Sequence, residues 1–545
     1  SPGYGGTNKN FLAYGGNGAN ARMFQRALSL DLLGASEHAH RASAGMAGKT
    51  VFENLRDNYF GVYELNYKKS RHTLYNHTTA IYANEIAQGV LFGKPELLRE
   101  GIEVVMTWLD QCLTRDGQYY ENAGGYERVG VNYFGDMILP LDNYSPRNYD
   151  NPQDFPDPAK YPFALRFGND PRWYSAAFLM KYRMMASGRM ICFGDMWEDR
   201  LVLPGRTRDW DPRNWCVFAR LLYAQTDRPE WKEELARRYW RLPDDVRNEP
   251  VVMSIRGMGM SQWFEPPKPK GGEAADACLL DEPSDFLPGK MIALMRKGAG
   301  ENHRTAFMCG SVHYSHGSDA QMELILYAKG MCLTGIYGYP FAGSPAHRGW
   351  SIKPASRWTL IVNEDLPVQP YPAKNSPPAS LQALTTDRTG LSVQAVEMSN
   401  PRLWTANPAI APDMTEYRRL LWMVDVSDED FYFLDFFRVH GGHTHDYLWT
   451  GQWLDQLRPS EGFAVEGVQP ESVEGVWSLA GFNRRYRKAD YNVPGRSWGE
   501  RLESGKSGSI ASLGIPGEEI NVDRNWNPPP GNGYGFIYDV RAAQT

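Results

Sequence analysis

Three stretches of this chain carry side chains that can move a proton or hold a carboxylate. The first is Tyr75-Asn76-His77, which puts a phenol, an amide and an imidazole ahead of an apolar helical run. Asparagine supplies both a donor and an acceptor, and an imidazole with its ordinary pKa of about 6.5 is a good base close to neutrality. The second is Asp116-Gly-Gln-Tyr-Tyr-Glu121, followed by Gly124-Gly-Tyr-Glu-Arg-Val-Gly-Val-Asn-Tyr133-Phe-Gly135. Glycines there let backbone approach a ligand closely, so Tyr120, Tyr126 and Arg128 are candidates to contact a substrate, with Tyr75 beside them. The tyrosines of this segment, Tyr133 among them, can place phenol groups in a cleft. The third stretch is Ser315-His-Gly-Ser-Asp-Ala-Gln-Met-Glu-Leu-Ile-Leu-Tyr-Ala-Lys-Gly330, where His316 leads into an apolar strand. A rigid scaffold can aim a histidine at the rim of a sheet toward a ligand. Taken singly, each stretch has a plainer explanation: Asn76 as a helix cap, the tyrosine-rich segment as a packed surface loop, His316 as a structural histidine.

In order and spacing, the three stretches resemble the signatures of the heparinase II/III-like polysaccharide lyases, a superfamily that includes heparinase II and several alginate lyases. In that family an Asn-His pair precedes a catalytic tyrosine by fifty-odd positions, as His77 precedes Tyr133, and a "DGsy.e" stretch lies between them, as Asp116-Gly117 does. A His-x-His-x-Asp stretch then runs into a "lyAkG" strand, matched from His316 to Gly330. Phe193-Gly-Asp195 looks like the family's "fGDsD", and Arg357-Trp-Thr-Leu-Ile-Val362 like its "HNTvvvdG" strand. Tyr417-Arg-Arg-Leu-Leu-Trp-Met-Val-Asp425 with Phe431–Val439 looks like its later strand pair. The resemblance implies an N-terminal α/α toroid, complete or shortened, followed by a large antiparallel β-sandwich. It also implies β-elimination at a uronic acid, with Asn76 and His316 holding the carboxylate, Tyr133 serving as base and acid, and His77 as base for the other uronate epimer. These four residues are then expected in one cleft between the domains.

The sequence departs from the family at its structural zinc site. Counted back from Gly330, the catalytic histidine falls on His316, and the three zinc-ligand positions fall on Ser318, Gly335 and Arg357. None of these is a zinc ligand type, and His313, an alternative with a shifted strand, would leave the site incomplete. No zinc and no other cofactor is expected. His440-Gly-Gly-His443-Thr-His445-Asp446 is metal-like in composition but follows a strand. The Asn-His pair also comes early, with 75 residues before it, and a shortened toroid, a different helix count or a missing N-terminal segment are all open.

The elements that must position these residues fall into two textures. Helical candidates are Ala19–Leu33, Thr78–Phe92, Glu96–Leu113, Arg172–Ser187, Asn214–Gln225 and Glu230–Arg241. Thr78–Phe92 carries Ile81, Ile86, Val90 and Leu91 on one face, and Gly93-Lys-Pro95 reads as a C-cap and an N1 proline between two antiparallel helices. Phe264-Glu-Pro-Pro-Lys-Pro-Lys-Gly-Gly-Glu273 reads as a linker. Beyond it, strands are expected at Met291–Arg296, Leu324–Lys329, Thr359–Val362, Leu391–Glu397, Leu420–Val426 and Phe431–Val439. The expected organisation is helical over 1–265, linker over 266–290 and β over 291–545, a multidomain α and β protein.

Composition bounds the function. The chain has 545 residues, 42% of them hydrophobic and 22% charged, and a net charge of −6. That length exceeds the roughly 250–300 residues at which single cores stop growing, and that charge argues against nucleic acid as a partner. An acidic polysaccharide needs a locally basic cleft, and 17 Trp and 30 Tyr offer faces for sugar rings. The six cysteines, Cys112, Cys192, Cys216, Cys278, Cys309 and Cys332, contain no CxxC pair, so buried thiols are expected. No apolar run is long enough to cross a membrane. The chain starts at Ser1, and a periplasmic or secreted location with the leader removed is expected. Nothing in the sequence sets an oligomeric state. Two other readings remain open: a glycoside hydrolase using carboxyls such as Glu85, Glu121, Glu127 and Asp136, and a glycan-binding protein without catalysis.

Overall fold

The computed structural model describes residues 34–42, 48–60, 76–121, 141, 144–161, 167–176, 185–186, 189–191, 193–194, 220, 222–240, 266–269, 283–298, 302–311, 317, 321–329, 331–334, 354, 357–363, 377–386, 392–405, 410–450 and 537–541. They form two compact units. The first comprises Ser1–Tyr120, Glu127–Met180 and Pro212–Ala275; the second comprises Glu121–Tyr126, Lys181–Asp211 and Asp276–Thr545.

In the first unit, α1 (Asn76–Leu91) and α2 (Pro95–Gln111) pack as a helical hairpin. Gly93 adopts the left-handed φ of 65° that a helix C-cap requires, and Pro95 occupies the first turn of α2. Ile86 is fully buried, as are Leu98, Ile102, Val105 and Trp108 of α2. The helices approach closely at two glycines. A Cβ on Gly89 would stand 2.6 Å from the backbone nitrogen of Leu98, and one on Gly101 would stand 2.5 Å from Ile86 Cγ1. Alanine in a helix interior ordinarily gains about 0.5–1 kcal/mol over glycine. At Gly89 the overlap is with backbone that cannot rotate away, and overpacking costs about 1–3 kcal/mol. Gly89→Ala is therefore expected to destabilise, read as a lower denaturant midpoint; a stabilised variant would contradict this packing.

Helix α3 (Pro229–Trp240) matches its sequence expectation, and Trp231 stacks on Tyr174 with ring centroids 4.2 Å apart. Trp240 Nε1 donates to Pro266 O at 2.8 Å, which anchors the described part of the proline-rich stretch to α3. The expected helix over Arg172–Ser187 is corrected at its C-terminal end. Its opening is helical, from the turn Pro171–Tyr174 through Ser175 and Ala176; residues 177–184 lie outside the described residues, and Met185–Ala186 form a strand, β1, paired antiparallel with β2 (Arg189–Met190). In sequence, Ser187-Gly188, a turn-forming pair, falls between the two strands. The expected helix over Ala19–Leu33 lies outside the described residues.

The second unit is built from antiparallel strands. One sheet has the order β3 (Asp285–Leu287), β4 (Ile292–Lys297), β5 (Arg304–Cys309), β6 (Glu323–Ala328), β7 (Met331–Cys332). A second, of four strands, contains β9 (Ser380–Thr385), β10 (Val393–Ser399), β11 (Glu416–Asp425) and β12 (Phe431–His440) in sequential adjacency. A third places β13 (His445–Thr450) between β8 (Leu360–Val362) and β14 (Ile537–Arg541). All three contribute to one core, through residues such as Met295, Met308, Leu326, Leu360, Met398, Leu421 and Met423. Strands β5 and β6 are buried along their whole length, so both faces of that sheet are covered; this explains the unbroken Leu324-Ile325-Leu326-Tyr327 run. By contrast, β11 alternates buried and less buried positions. At the β4–β5 end, Arg304 Nε donates to Asp425 Oδ1 at 2.6 Å and Lys297 lies 3.1 Å from Asp425 Oδ2, tying this sheet to the end of β11.

His303 lies next to that tie and is 1% exposed. Burial first, then Arg296 and Arg304, lower its pKa from 6.5 to about 4. As pH falls below 6.5, the unfolded chain takes up this proton before the folded one does. The neutral imidazole therefore contributes full stability above pH 6.5, lost progressively as pH falls toward about 4. The wild type is expected to lose more melting temperature between pH 7 and pH 4.5 than His303→Leu, and equal losses would refute this.

Candidate functional site

Asn76 and His77 form the first turn of α1, at the N-terminal end of the tightly packed hairpin; only their backbone is described. Tyr75, Tyr126, Arg128, Tyr133 and His316 lie outside the described residues, as do Ser318 and Gly335. Of the candidate side chains, Tyr120 alone is described.

The Asp116-Gly117 element that precedes the tyrosines is a closed turn. Thr114 N donates to Gln118 O at 2.8 Å, and Gly117 N donates to Thr114 O at 2.9 Å. Gly117 is left-handed at φ 86°, and a Cβ there would collide with the Ser175 hydroxyl; only glycine fits. Ser175 Oγ in turn donates to Asp116 O at 3.0 Å, and the Thr114 hydroxyl bonds the Asp116 carboxylate. Beyond the turn Tyr119 is buried, stacked on Trp108 at 5.6 Å. Tyr120 is half-buried, edge-on to Tyr119 at 4.7 Å, and its backbone nitrogen donates to Cys112 O at 2.9 Å. The element is a rigid lead into the stretch that carries Tyr126, Arg128 and Tyr133.

In the second unit, the ends of β5 and β6 gather a cluster of buried polar groups that sequence reasoning did not single out. Cys309 pairs with Glu323 across these strands, and His316 stands in the connection between them. Glu323 and Arg357 are each 4% exposed at their side chains, with Arg357 Nη1 3.8 Å from Glu323 Oε2. Arg357 Nη2 also donates to Gly194 O at 3.4 Å. Gly194 and Phe193 belong to the Phe-Gly-Asp element, and Phe193 packs on Phe307 of β5 with centroids 5.5 Å apart. Lys290 Nζ donates to Glu121 O at 2.8 Å and lies 5.5 Å from the Phe193 ring centroid. Four separated segments thus converge here: the residue after the Tyr119-Tyr120 pair, the Phe193-Gly194 element, the ends of β5 and β6, and the lead into β8. Burial first, then the Glu323 carboxylate, push the Cys309 thiol up to about 12. It is a neutral thiol and no nucleophile. The only signals in the sequence were a lone Glu opening an apolar run and an Arg where a ligand histidine was expected.

The zinc implied by the family resemblance does not fit this cluster. Arg357, at the position of one ligand, places a buried cation beside Glu323, and a guanidinium neither ligates a metal nor tolerates one nearby. In the His440–His445 turn, His440 Nδ1 bonds the Thr415 hydroxyl at 2.6 Å and His445 Nε2 donates to Gly441 O at 2.8 Å. Among the described residues no three metal-ligand side chains stand together. Cys112 and Cys309 are buried thiols. No described helix is long and apolar enough to cross a membrane.

No family model matches the chain, and no curated protein does. Solved structures do. A heparan sulfate lyase HepC from Pedobacter heparinus, in mutant form, is 16% identical with a TM-score of 0.46, matched over 82% of this chain and 58% of its own. A heparinase III is 13% identical with a TM-score of 0.45, over 79% and 57%. A heparinase III with methylated lysines is 12% identical with a TM-score of 0.47, over 79% and 54%. The chain therefore spans little more than half the length of these structures. They are a heparan sulfate lyase and heparinases III, each with a TM-score below 0.5.

Proposed function

We propose that this chain is a polysaccharide lyase that cleaves a uronic-acid-containing polysaccharide by β-elimination. One observation carries the reading: Asn76-His77, the Asp116-Gly117 turn, Tyr133, Phe193-Gly194-Asp195 and His316 occur in the order and spacing of the heparinase II/III-like lyases. The locked Asp116-Gly117 turn and the buried Arg357–Glu323 cluster support it, because both fix the backbone leading to the candidate residues. On this reading the helices belong to an α/α toroid over 1–265, the strands to a β-sandwich over 291–545, with 266–290 as the linker. The protein acts in the periplasm or outside the cell.

The chemistry needs no cofactor. Removing the C5 proton of the uronate builds negative charge on its carboxylate, and Asn76 and His316 donate hydrogen bonds to that charge. Tyr133 takes the C5 proton as base; the C5–H electrons form the C4=C5 double bond as the C4–O bond breaks. The departing glycosidic oxygen then receives a proton from the same phenol, and water adds nowhere. His77 serves as base where the C5 proton faces the other side of the ring. Tyr75, Tyr120, Tyr126 and Arg128 contact the neighbouring sugars.

A panel of alginate, glucuronan, heparan sulfate, chondroitin sulfate, hyaluronan and ulvan tests the reading. A lyase releases an ultraviolet-absorbing unsaturated uronate from at least one. New reducing ends without that absorbance would instead mean hydrolysis, and binding without any product a glycan-binding protein. Of the carboxyls that hydrolysis would use, Glu85 and Glu121 are nearly wholly buried, and Glu127 and Asp136 lie outside the described residues.

A further inference from the structure

At the sheet end where Glu323 meets Arg357, two non-glycine residues are left-handed: Met322 at φ 52° and Trp358 at φ 44°. Bulky side chains avoid that region, and backbone strain of this kind persists only where the surroundings over-determine it. Met322 directly precedes Glu323, and Trp358 directly follows Arg357. Each left-handed residue therefore turns the chain next to one member of the buried ion pair.

Both carbonyls are held by one guanidinium. Arg419 Nη1 donates to Met322 O and to Trp358 O, each at 2.5 Å. Its Nε reaches Asp435 Oδ1 at 2.9 Å, and its Nη2 reaches Asp435 Oδ2 at 2.5 Å and the Tyr447 hydroxyl at 3.2 Å. The Tyr447 hydroxyl donates to Asp435 as well. The Arg419 side chain is 0% exposed and lies in the core-facing stripe of β11, with Tyr417 before it and Leu421 after it. Neighbouring side chains extend this hold. The Tyr417 hydroxyl donates to Leu360 O at 2.7 Å, and the Thr359 hydroxyl to Gln321 O at 2.9 Å.

We infer that Arg419 is a positioning residue. Its planar fork holds Met322 and Trp358 left-handed, aims Glu323 and Arg357 at each other, and fixes the end of the β5–β6 connection in which His316 stands. The hold on the two turns follows from the geometry; its consequence for turnover rests on the lyase reading above.

Arg419→Lys separates fork from charge. An ammonium still faces Asp435 but cannot span the carboxylate and two carbonyls in one plane. Arg419→Leu/Asp435→Leu removes the pair together and guards against a variant that fails to fold through one orphaned charge. Hydrogen exchange on the full chain, without substrate, should show amides of 321–324 and 357–362 exchanging faster by about tenfold or more in the folded variants. Protection in β10 and β11 should stay near wild type. On heparan sulfate and alginate, kcat should fall by about tenfold or more with little change in KM. Wild-type exchange at both turns in a folded Arg419→Lys chain would overturn the proposal. Lost protection with undiminished kcat would overturn the positioning role. A wild-type chain inactive on both polymers and on the wider panel would overturn the lyase reading, and the exchange measurement would still decide whether Arg419 holds the turns.

Discussion

Tyr133→Phe is expected to lower eliminative turnover by about 10²–10⁴-fold, the usual contribution of a general acid–base group, while melting temperature and polysaccharide affinity stay near wild type. The substitution removes one hydroxyl and almost no volume, so it deletes the proposed proton carrier and leaves the ring to pack. The measurement is the initial rate of unsaturated product on whichever polymer of the panel is cleaved, together with binding of the same polymer to the inactive variant. His316→Ala should also be severely impaired, but differently. It strips a donor from the developing carboxylate charge, so its loss should be smaller on a substrate whose carboxylate is already esterified. A Tyr133→Phe chain with near-normal turnover would transfer the role to Tyr126. That outcome would leave the elimination reading standing and the residue assignment wrong.

What the sequence made legible was whatever local rules decide. The α1–α2 hairpin followed from apolar spacing and from Gly93-Lys-Pro95, and α1 and α2 fall within two residues of expectation. Strands β4, β6, β8, β10, β11 and β12 were visible as apolar or alternating runs. Strand β5 was not, because it opens on Arg304-Thr305 and reads as a turn, whereas its arginine is neutralised by Asp425 across the core. The same physics hid Arg419. Tyr417-Arg-Arg-Leu looks like a strand with a solvated pair of charges, but the period-2 register buries the second arginine and exposes Arg418 more. Its partners are Met322, Trp358, Asp435 and Tyr447, scattered along the chain, and no spacing rule links them. The helix expected over Arg172–Ser187 was right at its start and wrong at its end: Arg172–Ala176 are helical, whereas Met185 pairs with Met190 in a strand ladder. Arg357 was noticed only as a ligand that is missing. Its role, a buried cation paired with Glu323 and bonded to Gly194, depends on tertiary neighbours from three segments.

Arg357→Leu is the substitution with the largest expected effect on stability. It leaves the Glu323 carboxylate inside the protein without its guanidinium partner, and removing one member of a buried ion pair typically costs about 3–5 kcal/mol. It also removes the donor to Gly194 O, loosening the Phe193-Gly194 element. The cost should show as a lower denaturant midpoint and as faster hydrogen exchange in β6. Arg357→Leu/Glu323→Leu should recover most of the loss, because no uncompensated charge then remains buried and leucines fill much of the vacated volume. The two variants separate charge from packing. If the single substitution costs its full amount and the double recovers it, the pair holds this sheet end by mutual neutralisation. If the double is as unstable as the single, the loss lies in packing and in the bond to Gly194. A single variant as stable as wild type would mean that groups other than Arg357 hold the Glu323 carboxylate, and the ion pair would not stabilise this sheet end.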